Sequence, residues 1–119
     1  MLSLPHGKRE IFSFFLLAKL IISFTFNPPM RRIHLFISGE VQGVFFRAFI
    51  RDESHKLALF GFSRNLSNGD IEAVIEGSED NLKRLITLCK KGPPGSNIKN
   101  IKILDEPYKK EFKDFKIIY

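Results

Sequence analysis

Arg47 follows two glycines, Gly39 and Gly43, in the run Ile37-Ser38-Gly39-Glu40-Val41-Gln42-Gly43-Val44-Phe45-Phe46-Arg47. These residue types at this spacing suit the capture of a tetrahedral anion. Glycine reaches backbone angles closed to other residues, so successive N–H groups of the loop can turn inward into a concave nest. A helical pattern begins at Phe46, and a helix start adds unpaired donors and the positive end of its dipole. Arg47 then supplies a planar fork of donors that fits phosphate in a bidentate manner. All three devices favour a dianion over a neutral ligand.

The elements that must position this loop follow from the apolar pattern. Ile33, Leu35 and Ile37 alternate with Arg32, His34 and Phe36, which predicts a half-buried strand ending at Gly39. From Phe46 to about Leu59 the apolar positions Phe49, Ile50, Leu57 and Leu59, with small Ser54 between, fit a helix whose other face carries Arg51, Asp52 and Lys56. Gly61 then ends it. Strands at about 60–66 and 70–76 flank Asn68-Gly69, a hairpin signal because both central positions need or tolerate positive φ. Asn65 sits just before this turn.

Ser78 is a helix cap with Glu79 and Asp80 behind it, and Leu82, Leu85, Ile86 and Cys89 fall at i, i+3, i+4 and i+7. Lys90 and Lys91 complement the end of that helix, and Gly92-Pro93-Pro94-Gly95 stops it. Strand-like segments follow at about 97–104 and 112–119. The order strand, helix, strand, strand, helix, strand, with one extra short strand, predicts an α+β, ferredoxin-like split βαβ sandwich (βαββαβ), an antiparallel sheet with both helices on one face. That architecture serves many tasks and does not name one.

The length of 119 residues suits one domain with a core that needs no metal or disulfide. The net charge of +6 invites an anionic partner, small or polymeric. Residues 1–29 carry three basic and one acidic side chain, so the excess from Met30 onward is +4, and it is spread along the chain. Cys89 is the only cysteine, which excludes an internal disulfide and a multi-cysteine metal site and fits a small core residue. Residues 1–29 look foreign to the rest. Lys8 and Arg9 precede an apolar run over 11–26 that resembles a secretory signal, yet Lys19 interrupts it and no small-residue cleavage site follows. The division expected is an apolar extension over 1–29, disordered or preceding a true start at Met30, and a domain over 30–119. An export or anchor role and an ordered helix stay open for the extension.

From these residues a family resemblance emerges. The run Ile37-x-Gly39-x-Val41-Gln42-Gly43-Val44-x-Phe46-Arg47 resembles the first acylphosphatase signature. Gly61-Phe62-Ser63-Arg64-Asn65-x-x-x-Gly69-x-Ile71, closing at Gly77, resembles the second, and Gly92-Pro93-Pro94-Gly95 is similar to the loop before the family's last strands. Two multi-residue motifs at the right separation, each on its expected element, are far more specific than a lone glycine pattern. The match covers roughly 30–119.

The resemblance implies hydrolysis of the carboxyl-phosphate bond of small acyl phosphates to carboxylate and inorganic phosphate, with no metal and no cofactor. Arg47 matches the family's phosphate-binding arginine and Asn65 the asparagine that holds the attacking water. The backbone amides of Val41, Gln42, Gly43, Val44, Phe45 and Phe46 match its phosphate cradle. A cytoplasmic monomer is implied, with no nucleic acid and no stable membrane association. Phe62 and Ser63 stand where Trp and Val are commoner, Ile71 where Val is, Ala58 where a glycine usually ends the first helix, and Ile118 where Arg is frequent.

The chemistry is coherent without the name. A mixed anhydride carries a good leaving group, so the reaction needs charge neutralisation on the phosphoryl oxygens and an in-line water more than a strong acid. Bland readings stand beside this one. Gln42 lines the cradle or only stabilises its loop. Asn65 holds a water or only shapes the turn. Arg64 reads as a solvated strand residue. His34 and His55 have no spaced acidic or cysteine partner, so they read as surface or satisfied histidines rather than ligands. The alternative function is a ferredoxin-like module whose sheet binds RNA or another anion without catalysis, although no aromatic basic motif lies on the third strand.

Overall fold

The structure, a computed structural model, describes residues 28–119. The expectation for the apolar extension falls on residues 1–27, outside the described residues, save for Pro28 and Pro29. Five strands and two helices follow: β1 (Met30–Glu40), α1 (Phe46–Lys56), β2 (Phe60–Asn65), β3 (Ile71–Ser78), α2 (Glu79–Lys91), β4 (Asn97–Glu106) and β5 (Phe115–Ile118). The sheet order is β4-β1-β3-β2-β5. Its first four strands pair antiparallel, and β5 adds to β2 in parallel, so the ferredoxin-like arrangement carries a mixed rather than purely antiparallel sheet.

Both helices pack on one face of this sheet, α1 over β2 and β5 and α2 over β3, β1 and β4. The period-2 pattern of β1 explains which face that is: Ile33, Leu35 and Ile37 are buried against Ile50, Leu82, Leu85 and Cys89, while Arg32, His34 and Phe36 occupy the other side. Ser78 Oγ accepts the Asn81 N–H at 3.3 Å and caps α2 as its sequence requires.

Three local expectations are revised. Helix α1 stops at Lys56 rather than near Leu59, because the Leu59 N–H bonds back to the Ser54 carbonyl at 2.9 Å with Ala58 left-handed at φ 52° between them. The hairpin is not a two-residue turn on Asn68-Gly69. Only Gly69 takes positive φ, at 94°, the Gly69 N–H bonds the Leu66 carbonyl at 3.2 Å, and Leu66 N–H bonds Asp70 O at 2.8 Å, which makes a three-residue loop. Finally, β1 runs on through Glu40, with a bulge between Ser38 and Gly39. A Cβ at Gly39 would lie 2.1 Å from the Asn97 carbonyl oxygen, so this glycine admits β4 rather than shaping an anion nest.

Register fixes what the topology delivers to the site. Ile37 of β1 faces Ile71 of β3, and Ile71 faces Asn65 of β2. The exit of β1 into the glycine loop and the last residue of β2 therefore share one end of the sheet.

Candidate functional site

At that end of the sheet lies an open cavity of about 280 Å³. Val41, Gly43 and Phe46 line it from the loop and the start of α1, Arg47 and Ala48 from the first turn, and Asn65 from the end of β2. The two side chains that sequence reasoning singles out for chemistry, 18 positions apart, are thus brought to one pocket. Ile117 of β5, Tyr119 beyond it and Phe45 complete the wall.

Phe45 is the residue before α1 and sits at φ 58° and ψ 26°, with no side chain capping the helix start. Gly43, at φ 77°, turns the loop where nothing lies within 4 Å of the position a Cβ would take. Among the loop and turn hydrogen bonds of the described residues, none uses the amides of Gln42, Gly43, Val44, Phe45 or Phe46 as donor. A run of unpartnered backbone donors at a helix start, beside a cavity, is chemically suited to an anion. The first turn of α1 holds no acidic residue to compete for them.

Arg47 forms no ion pair with any described residue. Its guanidinium instead lies over the Tyr119 ring, 4.9 Å from the centroid, a contact that holds the charge without neutralising it. Gln42 resolves one open reading: its Nε2 donates to Leu66 O at 2.8 Å and to Asp70 O at 2.9 Å, so its side chain ties the loop to the turn after Asn65 and is not free for a ligand.

On the other face of the sheet the charged residues pair among themselves. His34 does have acidic partners, which strand pairing rather than sequence spacing supplies: Nε2 lies 2.7 Å from Glu72 Oε2 and Nδ1 2.8 Å from Glu106 Oε2. Burial pushes the Glu72 carboxyl up, but His34 and Arg64 more than offset that and hold it below the ordinary carboxylate value. Arg64 is therefore an ion-pair partner of Glu72 rather than a purely solvated side chain. His55 likewise finds Asp114, 3.2 Å away. Cys89 is fully buried in the core, where burial raises its thiol to about 12. Phe62 meets Phe112 edge-on at 5.9 Å on the outer face, while Ser63 points inward with no partner for its hydroxyl.

Sequence reasoning missed Ala48, Ile117 and Tyr119. Ala48 was legible in principle, one residue past Arg47. The other two were not, because their place depends on β5 running parallel to β2, which no local pattern announces.

Comparison with known proteins gives the family. The acylphosphatase family model matches residues 33–117. An acylphosphatase of Aeropyrum pernix is 45% identical over 89 residues, covering 74% of this chain and 88% of that protein. Among solved structures, acylphosphatase from Bacillus subtilis superposes with a TM-score of 0.73 at 30% identity, covering 75% of this chain and 99% of its own. An acylphosphatase from Coxiella burnetii gives 0.72 at 35%, covering 75% and 93%.

Proposed function

The chain belongs to the acylphosphatase family and is an acylphosphatase, and from that premise we propose how its residues divide the work. It hydrolyses acyl phosphates to a carboxylate and inorganic phosphate. The amides of 41–46 and the Arg47 guanidinium hold the phosphoryl oxygens, and the Asn65 carboxamide orients the attacking water. The observation that carries this reading is the convergence of a guanidinium free of ion pairs and a carboxamide on one cavity beside unpartnered amides.

Each role follows from what the group can do. The amides and Arg47 neutralise charge that grows on the equatorial oxygens, in a pocket where the protein need not reorganise. Asn65 both donates and accepts, so it can fix a water in line with the departing carboxylate. The described residues of the cavity wall include no carboxylate or imidazole, and the phosphoryl group itself takes the proton of the attacking water as the P–O bond to the acyl group breaks. The leaving carboxylate is a weak base and departs unprotonated.

All of these groups come from one chain, which supports a monomer as the working unit. The reading also places the enzyme in the cytoplasm, with no nucleic acid and no membrane among its partners. A buried, unpaired Cys89 is compatible with that location.

The test is phosphate release from benzoyl phosphate by wild type, Arg47→Ala and Asn65→Ala side by side, with circular dichroism to establish that each variant is folded. Arg47→Ala is expected to lose about 10³-fold or more in kcat/KM and Asn65→Ala about 10²-fold. A folded Arg47→Ala enzyme with wild-type turnover would overturn the assignment, as would a pH–rate dependence traced to one side chain acting as base.

A further inference from the structure

We propose that Phe45, Ile117 and Tyr119 form an acyl subsite that selects acyl phosphates with an apolar, preferably aromatic, acyl group and disfavours those whose acyl part carries a second negative charge. This rests on the placement of the phosphoryl group against Arg47 and the loop amides given above.

Three observations carry it. Phe45 leaves 85% of its surface exposed while holding a left-handed backbone at φ 58°. The left-handed backbone belongs to the turn that presents the amides, whereas the exposed ring lining the cavity serves no packing and is available to a ligand. Tyr119 is 97% exposed, and its ring lies over the Arg47 guanidinium, 4.9 Å from ring centroid to Cζ, and so flanks the position of the reacting phosphate. Ile117 and Ala48 line the same cavity with these two rings.

The charge inventory points the same way. Among the described residues Arg47 is the one cation lining the cavity, and the phosphoryl group uses it. A second carboxylate or phosphate on the acyl part would meet two aromatic rings and a branched aliphatic side chain, with no further guanidinium or ammonium among the described residues of the wall to pair it. A phenyl ring or an alkyl chain meets surface that it can cover, and the aromatic pair adds a preference for planar groups.

The experiment compares kcat/KM for benzoyl, acetyl and succinyl phosphate, the last bearing a free carboxylate, at fixed ionic strength on wild type, Phe45→Gly, Ile117→Lys and Arg47→Ala. Intrinsic leaving-group differences cancel when each ratio is compared between variants. Glycine keeps the left-handed backbone at position 45 and removes only the ring. Phe45→Gly is expected to lower the benzoyl-to-acetyl ratio about tenfold. Ile117→Lys should raise the succinyl-to-acetyl ratio about tenfold by giving the second carboxylate a partner.

Ratios that do not move in either variant, with Arg47→Ala inactive, would overturn the subsite and leave the phosphate site standing. An active, folded Arg47→Ala would overturn the phosphate placement and the subsite with it. A wild-type preference for succinyl over acetyl phosphate beyond their spontaneous hydrolysis rates would also overturn the subsite.

Discussion

The Gln42 side chain donates from Nε2 to the Leu66 carbonyl at 2.8 Å and thereby joins the loop that carries the unpartnered amides to the residue next to Asn65. A second bond from the same nitrogen, to Asp70 O at 2.9 Å, closes the clamp across the turn. One half of the site comes from the loop and the start of α1 and the other from the end of β2; strand register brings them to the same end of the sheet, and this amide ties them together there. Gln42→Leu should therefore fold, with a stability loss of about 1–2 kcal/mol for the two bonds. It should also lose about tenfold to a hundredfold in kcat/KM through misplacement of the water relative to the phosphate. Steady-state kinetics beside a thermal melt checks this. A melting temperature that falls while kinetics stay at wild-type values would show that the clamp is structural only.

Ser54 and Ser63 are both fully buried, and neither hydroxyl has a hydrogen-bond partner among the described residues. Ser54 lies inside α1, where alanine is also the better helix former. Ser54→Ala removes an unsatisfied polar group without adding volume, so a gain of about 1 kcal/mol is expected. For a domain of this size that is a rise of about 4–8 °C in melting temperature. Calorimetry of the two proteins decides it, and a lower melting temperature would mean that the hydroxyl has a partner after all.

Ala58 holds φ 52° immediately after α1, at the point where the Leu59 N–H turns back to Ser54 O. A methyl side chain in that conformation costs on the order of 1 kcal/mol relative to glycine. Ala58→Gly gives part of this back to the unfolded chain as entropy, so the net stabilisation expected is about 0.5 kcal/mol. Urea midpoints with an unchanged m-value would measure it directly.

Much of this architecture is legible in the residues themselves. The alternation in β1, the i, i+3, i+4, i+7 spacing in α2 and the Ser78 cap each announce an element, because burial on one face imposes its own period. The loop chemistry around Gly43 and Arg47 is legible for the same kind of reason, since few residue types permit it. What local pattern cannot convey is pairing. The parallel seat of β5 brings Tyr119 over Arg47, and the antiparallel ladders place Glu72 and Glu106 on either side of His34. Gly39 was misjudged by the same limit: its freedom serves a neighbouring strand more than 50 positions away.

Glu76 offers the clearest link between pH and stability. Its side chain is 2% exposed on β3, and it accepts the Lys109 N–H at 2.9 Å and the Glu111 N–H at 2.8 Å, pinning the connection between β4 and β5 to the sheet. Burial pushes this carboxyl up, but the backbone donors and Arg32 more than offset burial and hold it below its ordinary value. A carboxyl depressed in the folded state contributes stability that is present above its unfolded pKa, near 4.5, and is lost as pH falls through the lower folded value. Glu72 and Glu106, each on a ring nitrogen of His34, are depressed as well and add to the same acid limb. Wild type should accordingly hold its stability down to about pH 5 and lose it progressively below. Glu76→Gln keeps the shape but offers only one accepting oxygen and no charge, so it should cost about 2 kcal/mol at pH 7. Its stability should also fall less steeply than that of wild type below pH 4.5, because one titrating carboxyl has gone. Urea denaturation from pH 3 to pH 7 on both proteins tests the sign: parallel acid limbs would show that Glu76 has the same pKa folded and unfolded. Because Phe115 and Tyr119 follow this connection, the variant should also loosen the ring over Arg47, and a rise in KM for benzoyl phosphate at pH 7 would register that.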